Sequence, residues 1–304
     1  MLTIDSLKIT GFRTFMGEKG KQKSTLDSYS RDIQNFVNFL TETDTRGGDV
    51  SAQVLEEYKN WLLNRGSKSS SIRRAVIAIR VFFRWLEEKG HVHGNPLEEL
   101  PVPAHEQIKT RRIPLTSVEA MLSNALITVN SIKAARDVAL LLLISREGLK
   151  ASELVALKWS HFFASAENGR LMIPGARPRT IELEAETCNA LRSLRKTLQT
   201  DSRTRMDITN DSPLFVSFKG ADARSVLWGI TRHGLKFAIY ELGDSVGLHH
   251  LNAEQLRHLA MAHKLSLGFS PEMVMNHLGL RRIGNIGKHL NDQPTQDSTQ
   301  ESDV

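Results

Sequence analysis

Residues 251–290 read LNAEQLRHLAMAHKLSLGFSPEMVMNHLGLRRIGNIGKHL, and this stretch decides how the rest of the chain is interpreted. Its first half predicts a helix over residues 252–268, with an acid at Glu254 and a base three residues later at Arg257. A second apolar run follows a small-residue break and ends at Leu278-Gly279. The order of these features, more than any one of them, indicates a particular kind of domain.

This stretch resembles the C-terminal signature of the tyrosine recombinase (phage integrase) family. In that family a His, two residues, an Arg and usually a second His open a helix, and Leu-Gly-His or Leu-Gly-Trp precedes the nucleophilic Tyr. The segments QLRH at 255–258 and Leu278-Gly279 match. Three positions depart from the pattern, since the first His is Glu254, the residue after Leu-Gly is Leu280, and the Tyr position falls on His289.

Two further segments upstream carry the same resemblance. The segment EGLKASELVALKW at 147–159 is similar to the family signature Thr-Gly-Leu-Arg-x-x-Glu-Leu-x-x-Leu, with Lys150 in place of the Arg. Residues 170–186 alternate around a Gly-containing turn and predict a hairpin. The family has a hairpin here with a catalytic Lys, whereas this turn region carries Arg177 and Arg179.

The chemistry that the resemblance implies is cleavage of a phosphodiester, which needs a nucleophile, fixed cations and a proton donor. Arg257 remains of the two family arginines, and Lys150 keeps the charge but loses the planar fork. A carboxylate at Glu254 repels a phosphate, and Leu280 donates no hydrogen bond. His289 offers an imidazole nucleophile, but the groups that would support it are replaced. On these grounds we predict that the chain is not an enzyme.

The N-terminal part predicts a small helical bundle. Apolar stripes predict helices over residues 24–40, 51–64 and about 68–89, and NPLEEL at 95–100 predicts a short fourth helix. This order resembles the SAM-like core-binding domain of the same family, which we place at 24–100. Residues 1–23, rich in Gly and Lys toward their end, are interpreted as a weakly ordered arm.

A basic, acid-free stretch lies between Glu57 and Glu87. Bases without intervening acids on a helix indicate a face that contacts phosphates, although a merely solvated face is the alternative. The candidate DNA contacts here are Lys68, Arg73, Arg74, Arg80 and Arg84.

The remaining boundaries follow from composition. Prolines and a basic cluster at Lys109, Arg111 and Arg112 predict an extended linker over 101–114. The recombinase-type domain is placed at 115–290, and the polar, acidic residues 291–304 predict a disordered tail. The predicted fold class is mostly α, with a helical SAM-like domain followed by an α+β domain that has a small antiparallel sheet.

Charge and cysteine content narrow the class of protein. The net charge is +6, and the body before the acidic tail holds 40 bases against 30 acids, which suits a polyanionic partner. The single cysteine, Cys188, excludes an internal disulfide framework and a Cys-rich zinc site. We predict no metal, no cofactor and no membrane span, and we expect a cytoplasmic, nucleoid-associated bacterial protein.

The resemblance implies a C-shaped clamp on duplex DNA. The favoured hypothesis is a catalytically inactive, site-specific DNA-binding protein, monomeric in solution, that serves as a regulator, a replication or maintenance factor, or an accessory partner of an active recombinase on a mobile element or plasmid. One alternative is an active recombinase with a displaced nucleophile, for which Tyr240 is the candidate; another is a protein-interaction module without DNA binding. In the second domain the candidate DNA contacts are Lys150, Arg177, Arg179, Arg257, Arg281 and Arg282.

Overall fold

The chain divides into two units, residues Met1–Lys109 and Thr110–Val304. The structure is a computed structural model, and it describes residues 4, 6–45, 50–98, 113–127, 131–165, 169–175, 177–200, 208–217 and 229–282. The division falls inside the predicted linker, most of which, including Lys109, Arg111 and Arg112, lies outside the described residues.

Unit 1 consists of four described helices around an aromatic core. They are α1 (Ser6–Glu18), α2 (Lys23–Glu42), α3 (Ala52–Asn64) and α4 (Ser69–Glu88). Apolar residues recur at helical spacing on α2 and α4, so that each helix buries one face. The rings of Phe36 and Tyr58 meet edge to face, with 5.0 Å between their centroids. The ring of Phe83 lies 6.4 Å from that of Phe36, also edge to face.

The interpretation of residues 1–23 as a weakly ordered arm is wrong over Ser6–Glu18, which forms α1. Phe12 and Met16, four residues apart, are both buried. The ring of Phe12 lies 5.2 Å from that of Phe82 and 5.8 Å from that of Trp85 on α4. This pair of apolar residues anchors the helix, and the glycines and lysines that suggested disorder belong mainly to its C-terminal end.

Arg74 of the predicted phosphate-contacting face is held by a buried acid. Its Nε and Nη2 donate to the two carboxylate oxygens of Asp32 at 2.7 and 2.9 Å, and the Asp32 side chain is only 5% exposed. Arg84 instead pairs with Glu98 at 2.7 Å, with both side chains about half exposed. The two arginines therefore differ in how much the fold depends on them.

Replacing Arg74 with Ala is expected to destabilise unit 1 by about 2 kcal/mol, because it leaves the Asp32 carboxylate buried without its donors. Arg84→Ala is the matched control, and loss of its exposed ion pair should cost about 0–1 kcal/mol. Hydrogen exchange of the α2 and α4 segments in the full chain measures both changes. Equal protection in the two variants would show that the Arg74–Asp32 pair stabilises unit 1 no more than the exposed Arg84–Glu98 pair does.

Unit 2 packs helices around a small sheet. Its described elements are α5 (Leu115–Leu126), α6 (Ser131–Ser145), α7 (Ala151–Leu154), a 3-10 turn (Trp159–His161), β1 (Phe162–Ala164), β2 (Gly169–Ile173), β3 (Arg179–Leu183), α8 (Ala185–Thr200), α9 (Arg232–Asp244), α10 (Ala253–Ser266) and α11 (Pro271–Leu278). The strands are antiparallel in the order β1-β2-β3, and Leu171 pairs with Ile181. The predicted fold class and the hairpin are confirmed.

Several predicted helix ends differ from the observed ones. The helix predicted over residues 24–40 extends from Lys23 to Glu42, and it begins after Gln22 without a side-chain cap. The helices predicted over 51–64 and about 68–89 agree with α3 and α4 to within one residue at each end. The described part of NPLEEL, up to Glu98, is a turn, because the Asn95 side chain accepts from the backbone N–H of Leu97.

Two classes of feature are not found among the described residues. None of their helices combines the length and apolar character needed to cross a membrane. Their His, Cys, Asp and Glu side chains do not gather into a group of three or more that would suit a metal ion.

Candidate nucleic-acid interface

Four cations surround the C-terminal end of α11, and we call Lys150, Arg177, Arg179 and Arg257 the four-cation cluster. Gly279 ends the helix with φ +60°, and the last carbonyls of a helix have no partners within it. Each cation donates to one of four consecutive carbonyl oxygens: Arg179 Nε to His277 at 2.7 Å, Arg257 Nη2 to Leu278 at 2.9 Å, Lys150 Nζ to Gly279 at 3.3 Å and Arg177 Nη1 to Leu280 at 3.0 Å.

Two members of the cluster, Arg179 and Arg257, are largely buried, and each donates from all three of its guanidinium nitrogens. Arg257 Nε also donates to the Gly148 carbonyl at 2.8 Å, and its side chain is 7% exposed. Arg179 donates to both carboxylate oxygens of Glu153, from Nη1 at 2.8 Å and from Nη2 at 3.1 Å. Burial lowers the pKa of Arg257, whereas the carboxylates of Glu254 and Glu153 act to raise it. These two guanidinium groups hold the end of α11 against the rest of unit 2.

The other two members face solvent. Arg177 is exposed, and the Lys150 side chain is 36% exposed. The pKa of Lys150 is lowered first by burial and then by the charges of the three neighbouring arginines, while Glu153 acts in the opposite direction. An anion beside Lys150 would relieve this repulsion and favour the charged ammonium. The exposed side of the cluster is therefore suited to bind an anion.

The departures from the family pattern have clear local roles. Glu254 lies in the first turn of α10, where a carboxylate is stabilised by the helix dipole. Its side chain is 64% exposed, 3.5 Å from Arg257 Nη1 and 3.8 Å from His258 Nε2. Leu280 packs on the small apolar group of Met261, Val274 and Leu278. His289 lies outside the described residues.

The structure brings together only part of the predicted contact set. The four-cation cluster unites Lys150, Arg177, Arg179 and Arg257, and the exposed Arg281 and Arg282 follow it directly in the chain. In unit 1, Lys68 is exposed, and Arg80 donates to the Glu98 carbonyl. Arg74 is committed to Asp32. The contact roles themselves stay predictions.

Sequence reasoning missed a group of buried and partly buried ionisable residues close to the cluster in the chain. We call it the buried charge network, and its members are Arg146, Glu147, Glu184, His263, Lys264 and His277. Lys264 Nζ lies 2.7 Å from Glu147 Oε2 and 2.6 Å from Glu184 Oε1, and the Lys264 and Glu147 side chains are 2% and 0% exposed. One signal was available, because Glu147 occupies a position where the family signature has Thr.

Glu147 is expected to make the stability of unit 2 depend on acidity. Burial alone raises its pKa, but hydrogen bonds from His277, Lys264 and the Glu184 N–H, with the Lys264 charge, lower the pKa to about 2. Because the folded pKa lies below the unfolded value of about 4.3, the carboxylate stabilises unit 2 above that pH. This stabilisation is lost as the pH falls from about 5 to 2.

The measurement is acid-induced unfolding of the full chain, followed by hydrogen exchange in α6 and α10. Glu147→Gln removes the titrating group with little change in volume, so its stability should depend less on pH over that interval. An unchanged acid dependence in this variant would rule out Glu147 as the titrating group.

Comparison with known proteins agrees with this fold. Residues 9–90 match the family described as "Phage integrase, N-terminal SAM-like domain". The chain is 26% identical over 285 residues to the tyrosine recombinase XerC of Roseiflexus sp. (strain RS-1), covering 92% of this chain and 87% of that protein. It is 28% identical over 270 residues to the tyrosine recombinase XerD of Rhizobium meliloti (strain 1021), covering 86% and 83%.

Solved structures share the fold at low sequence identity. A lambda integrase (75–356) dimer bound to a COC' core site has a TM-score of 0.69 at 12% identity, covering 99% of both chains. The XerH site-specific recombinase bound to a palindromic difH substrate has a TM-score of 0.67 at 15% identity, covering 88% of this chain and 76% of that one.

These comparisons correct one prediction. The inference that the chain is not an enzyme is wrong, because relatives matched over most of their length are named tyrosine recombinases, which are enzymes. That inference gave the substitutions at Lys150, Glu254 and Leu280 more weight than the preserved scaffold. With the SAM-like match at its N-terminus and recombinase relatives along its length, the chain belongs to the tyrosine recombinase family.

Proposed function

We propose that this chain binds a specific site in duplex DNA and acts there as a recombinase, with a backbone phosphate held by the four-cation cluster. The observation that carries the proposal is the convergence of four positive side chains on one helix end, where Glu153 and Glu254 are the acids in contact with them among the described residues. The DNA-bound state of the structural neighbours supports the choice of duplex DNA.

Within the cluster, the exposed pair is proposed to contact the phosphate. Lys150 and Arg177 each bond one carbonyl, at Gly279 and Leu280, and retain further donor hydrogens. Arg179 and Arg257 already use all three guanidinium nitrogens on carbonyl and carboxylate partners, and their side chains are only 11% and 7% exposed. A phosphate therefore gains most from the first two side chains, while the buried pair supplies charge and holds the site together.

The salt dependence of DNA binding tests whether Lys150 and Arg177 contact the phosphate. For Lys150→Ala and for Arg177→Ala, the slope of log K against log salt should become shallower by about 0.9, because each variant releases one phosphate contact. Lys196→Ala is the control, since it removes the same charge from an exposed position on α8. Unchanged slopes in both cluster variants would contradict phosphate binding at this site.

Strand cleavage by this chain would need a nucleophile, and two are considered. His289 occupies the position where the family has its Tyr, and it lies outside the described residues. Tyr240 on α9 is half buried, with its ring 6.3 Å from that of His250 and the ammonium of Lys236 at 5.1 Å. We propose His289, because its place in the chain follows Arg257 as in the family signature.

A nicked duplex that loses a short product strand traps the covalent intermediate. Attack by His289 breaks the bond from phosphorus to the sugar oxygen of the departing strand, which takes up a proton and leaves as a hydroxyl, and it forms a nitrogen–phosphorus bond. Acid breaks this bond and alkali spares it, while a tyrosine ester withstands both. We expect an acid-labile adduct that His289→Ala abolishes and Tyr240→Phe preserves. Absence of any adduct on duplexes that the chain binds would exclude strand cleavage, and an acid-stable adduct would assign the step to Tyr240.

Action beside a second recombinase is a further proposal, motivated by the replaced groups at Lys150, Glu254 and Leu280. In such a complex this chain would bind one half of the DNA site and the partner would occupy the other. Mixing the chain with a recombinase encoded beside it should raise affinity for a full site over a half site. Independent binding of the two proteins would contradict this role.

A further inference from the structure

The buried charge network joins the same structural segments that form the four-cation cluster. The turn after α6 supplies Glu147 to the network and Lys150 to the cluster. The α10 helix supplies Lys264 and Arg257, seven residues apart and therefore on one side of the helix. Strand β3 and helix α11 also contribute to both groups.

Strand β3 begins with the cluster residue Arg179, and Glu184 of the network follows its last residue. On α11, one residue serves both groups, because the His277 side chain donates to Glu147 Oε2 at 3.1 Å and the His277 carbonyl accepts from Arg179. Apart from the hairpin turn that carries Arg177, each segment that carries a cluster cation or its carbonyl partners therefore also carries a network residue.

Glu147 is the centre of the network. Its Oε2 accepts from Lys264 and His277, and its Oε1 accepts from the backbone N–H of Glu184 at 2.9 Å. The next residue is Gly148, whose carbonyl holds Arg257. One carboxylate thus fixes β3, α10 and α11 relative to the turn that carries Lys150.

The rest of the network keeps its charges balanced. Arg146 has only N–H donors, so the Nδ1 atom of His263 accepts from it at 3.4 Å and the Nε2 atom carries the proton toward Glu184 at 3.0 Å. Glu184 also accepts from Lys264. Unpairing any one charge in such a buried group is costly, so the arrangement is rigid.

We propose that Glu147 and Lys264 are positioning residues, which set the spacing of the four-cation cluster without touching the DNA. This inference rests on the proposed function, because it concerns the phosphate site described above. A side chain displaced by a fraction of an ångström loses hydrogen bonds whose energy depends steeply on distance and angle. Removing one partner of the pair should therefore weaken phosphate binding at a site that the pair does not contact.

The test is a set of variants in the full chain: Lys264→Met, Glu147→Gln and the two together, each assayed for affinity on a pool of random-sequence duplexes. Lys264→Met leaves the buried Glu147 carboxylate without its ammonium partner, with only His277 and the Glu184 N–H still donating to it. It is expected to lower affinity about tenfold, or about 1.4 kcal/mol. The double variant removes both charges and should recover most of this loss. Thermal unfolding confirms that each variant is folded at the assay temperature.

A merely structural role is separated from a positioning role by repeating Lys264→Met in the Lys150→Ala/Arg177→Ala background. Positioning predicts that the loss largely disappears there, because the groups being positioned are gone. The same tenfold loss in both backgrounds would overturn the inference, as would unchanged affinity of Lys264→Met itself.

Two further outcomes are distinguishable. If Lys150→Ala/Arg177→Ala binds DNA with the wild-type affinity and salt slope, the phosphate site is wrong and the positioning role falls with it. If Lys264→Met does not fold, Glu147→Gln replaces it, because this variant leaves Lys264 paired with Glu184. Wild-type affinity of Glu147→Gln would then overturn the inference.

Discussion

Gly148→Ala is expected to destabilise unit 2 by about 2–5 kcal/mol, from two separate effects. Gly148 has φ +70°, a conformation that costs an L-residue about 1–2 kcal/mol. An added Cβ would also lie 2.6 Å from Leu278 Cγ, inside the core. Because Leu278 is the last residue of α11, relief of this overlap must move the helix end, at about 1–3 kcal/mol.

Gly247→Ala is the matched control for this prediction. Gly247 lies in the same unit with φ +72°, and an added Cβ there meets nothing within 4 Å. Both substitutions restrict the unfolded chain equally, so the difference between them isolates the overlap with Leu278. Calorimetry of the full chain gives the unfolding temperatures, and hydrogen exchange of α11 assigns the loss. Equal destabilisation would show that α11 adjusts without cost.

Arg257→Ala is expected to be the most damaging single change in the four-cation cluster. It removes the donors of the Gly148 and Leu278 carbonyls, and each unsatisfied buried group costs about 1–3 kcal/mol. It also removes a charge next to the proposed phosphate. We therefore expect about 2–5 kcal/mol less stability together with weaker binding of duplex DNA, measured by chemical unfolding and by titration with a labelled duplex.

Two companion variants separate the interpretations of Arg257. Arg257→Lys keeps the charge, but a single ammonium lacks the planar fork that spans two carbonyls, so it should retain DNA binding better than stability. Glu254→Gln tests the ion pair, which at 3.5 Å and with an exposed carboxylate is worth about 0–1 kcal/mol. If Glu254→Gln destabilised unit 2 as much as Arg257→Ala, Arg257 would be mainly an ion-pair partner.

The sequence predicted much of the architecture because apolar spacing determines which faces are buried. The stripes of α2 and α4 and the hairpin around Gly175 could be identified without a structure. The error at α1 has a simple cause, since its apolar anchors Phe12 and Met16 are few and lie among glycines and polar residues. Composition alone did not reveal the ring contacts of Phe12 with Phe82 and Trp85 on α4.

The site was predictable in its members but not in their roles. The resemblance singled out Lys150 and Arg257 by motif, and Arg177 and Arg179 by their place in the hairpin turn. Their division into a buried pair and an exposed pair depends on the path of the chain after Gly279, which motif spacing does not contain. The pairing of Glu147 with Lys264 joins residues 117 positions apart, and a single sequence gives no sign of such a contact.

The long separation between Glu147 and Lys264 has a consequence for synthesis on the ribosome. Every described contact of the aromatic core in unit 1 is complete once residue 98 has emerged, so that unit is able to fold early. Glu147, in the turn after α6, acquires its ammonium partner only after 117 further residues have been translated. Until then burial of this carboxylate in the second unit is uncompensated, and a chain that stops before α10 should be a substrate for proteolysis.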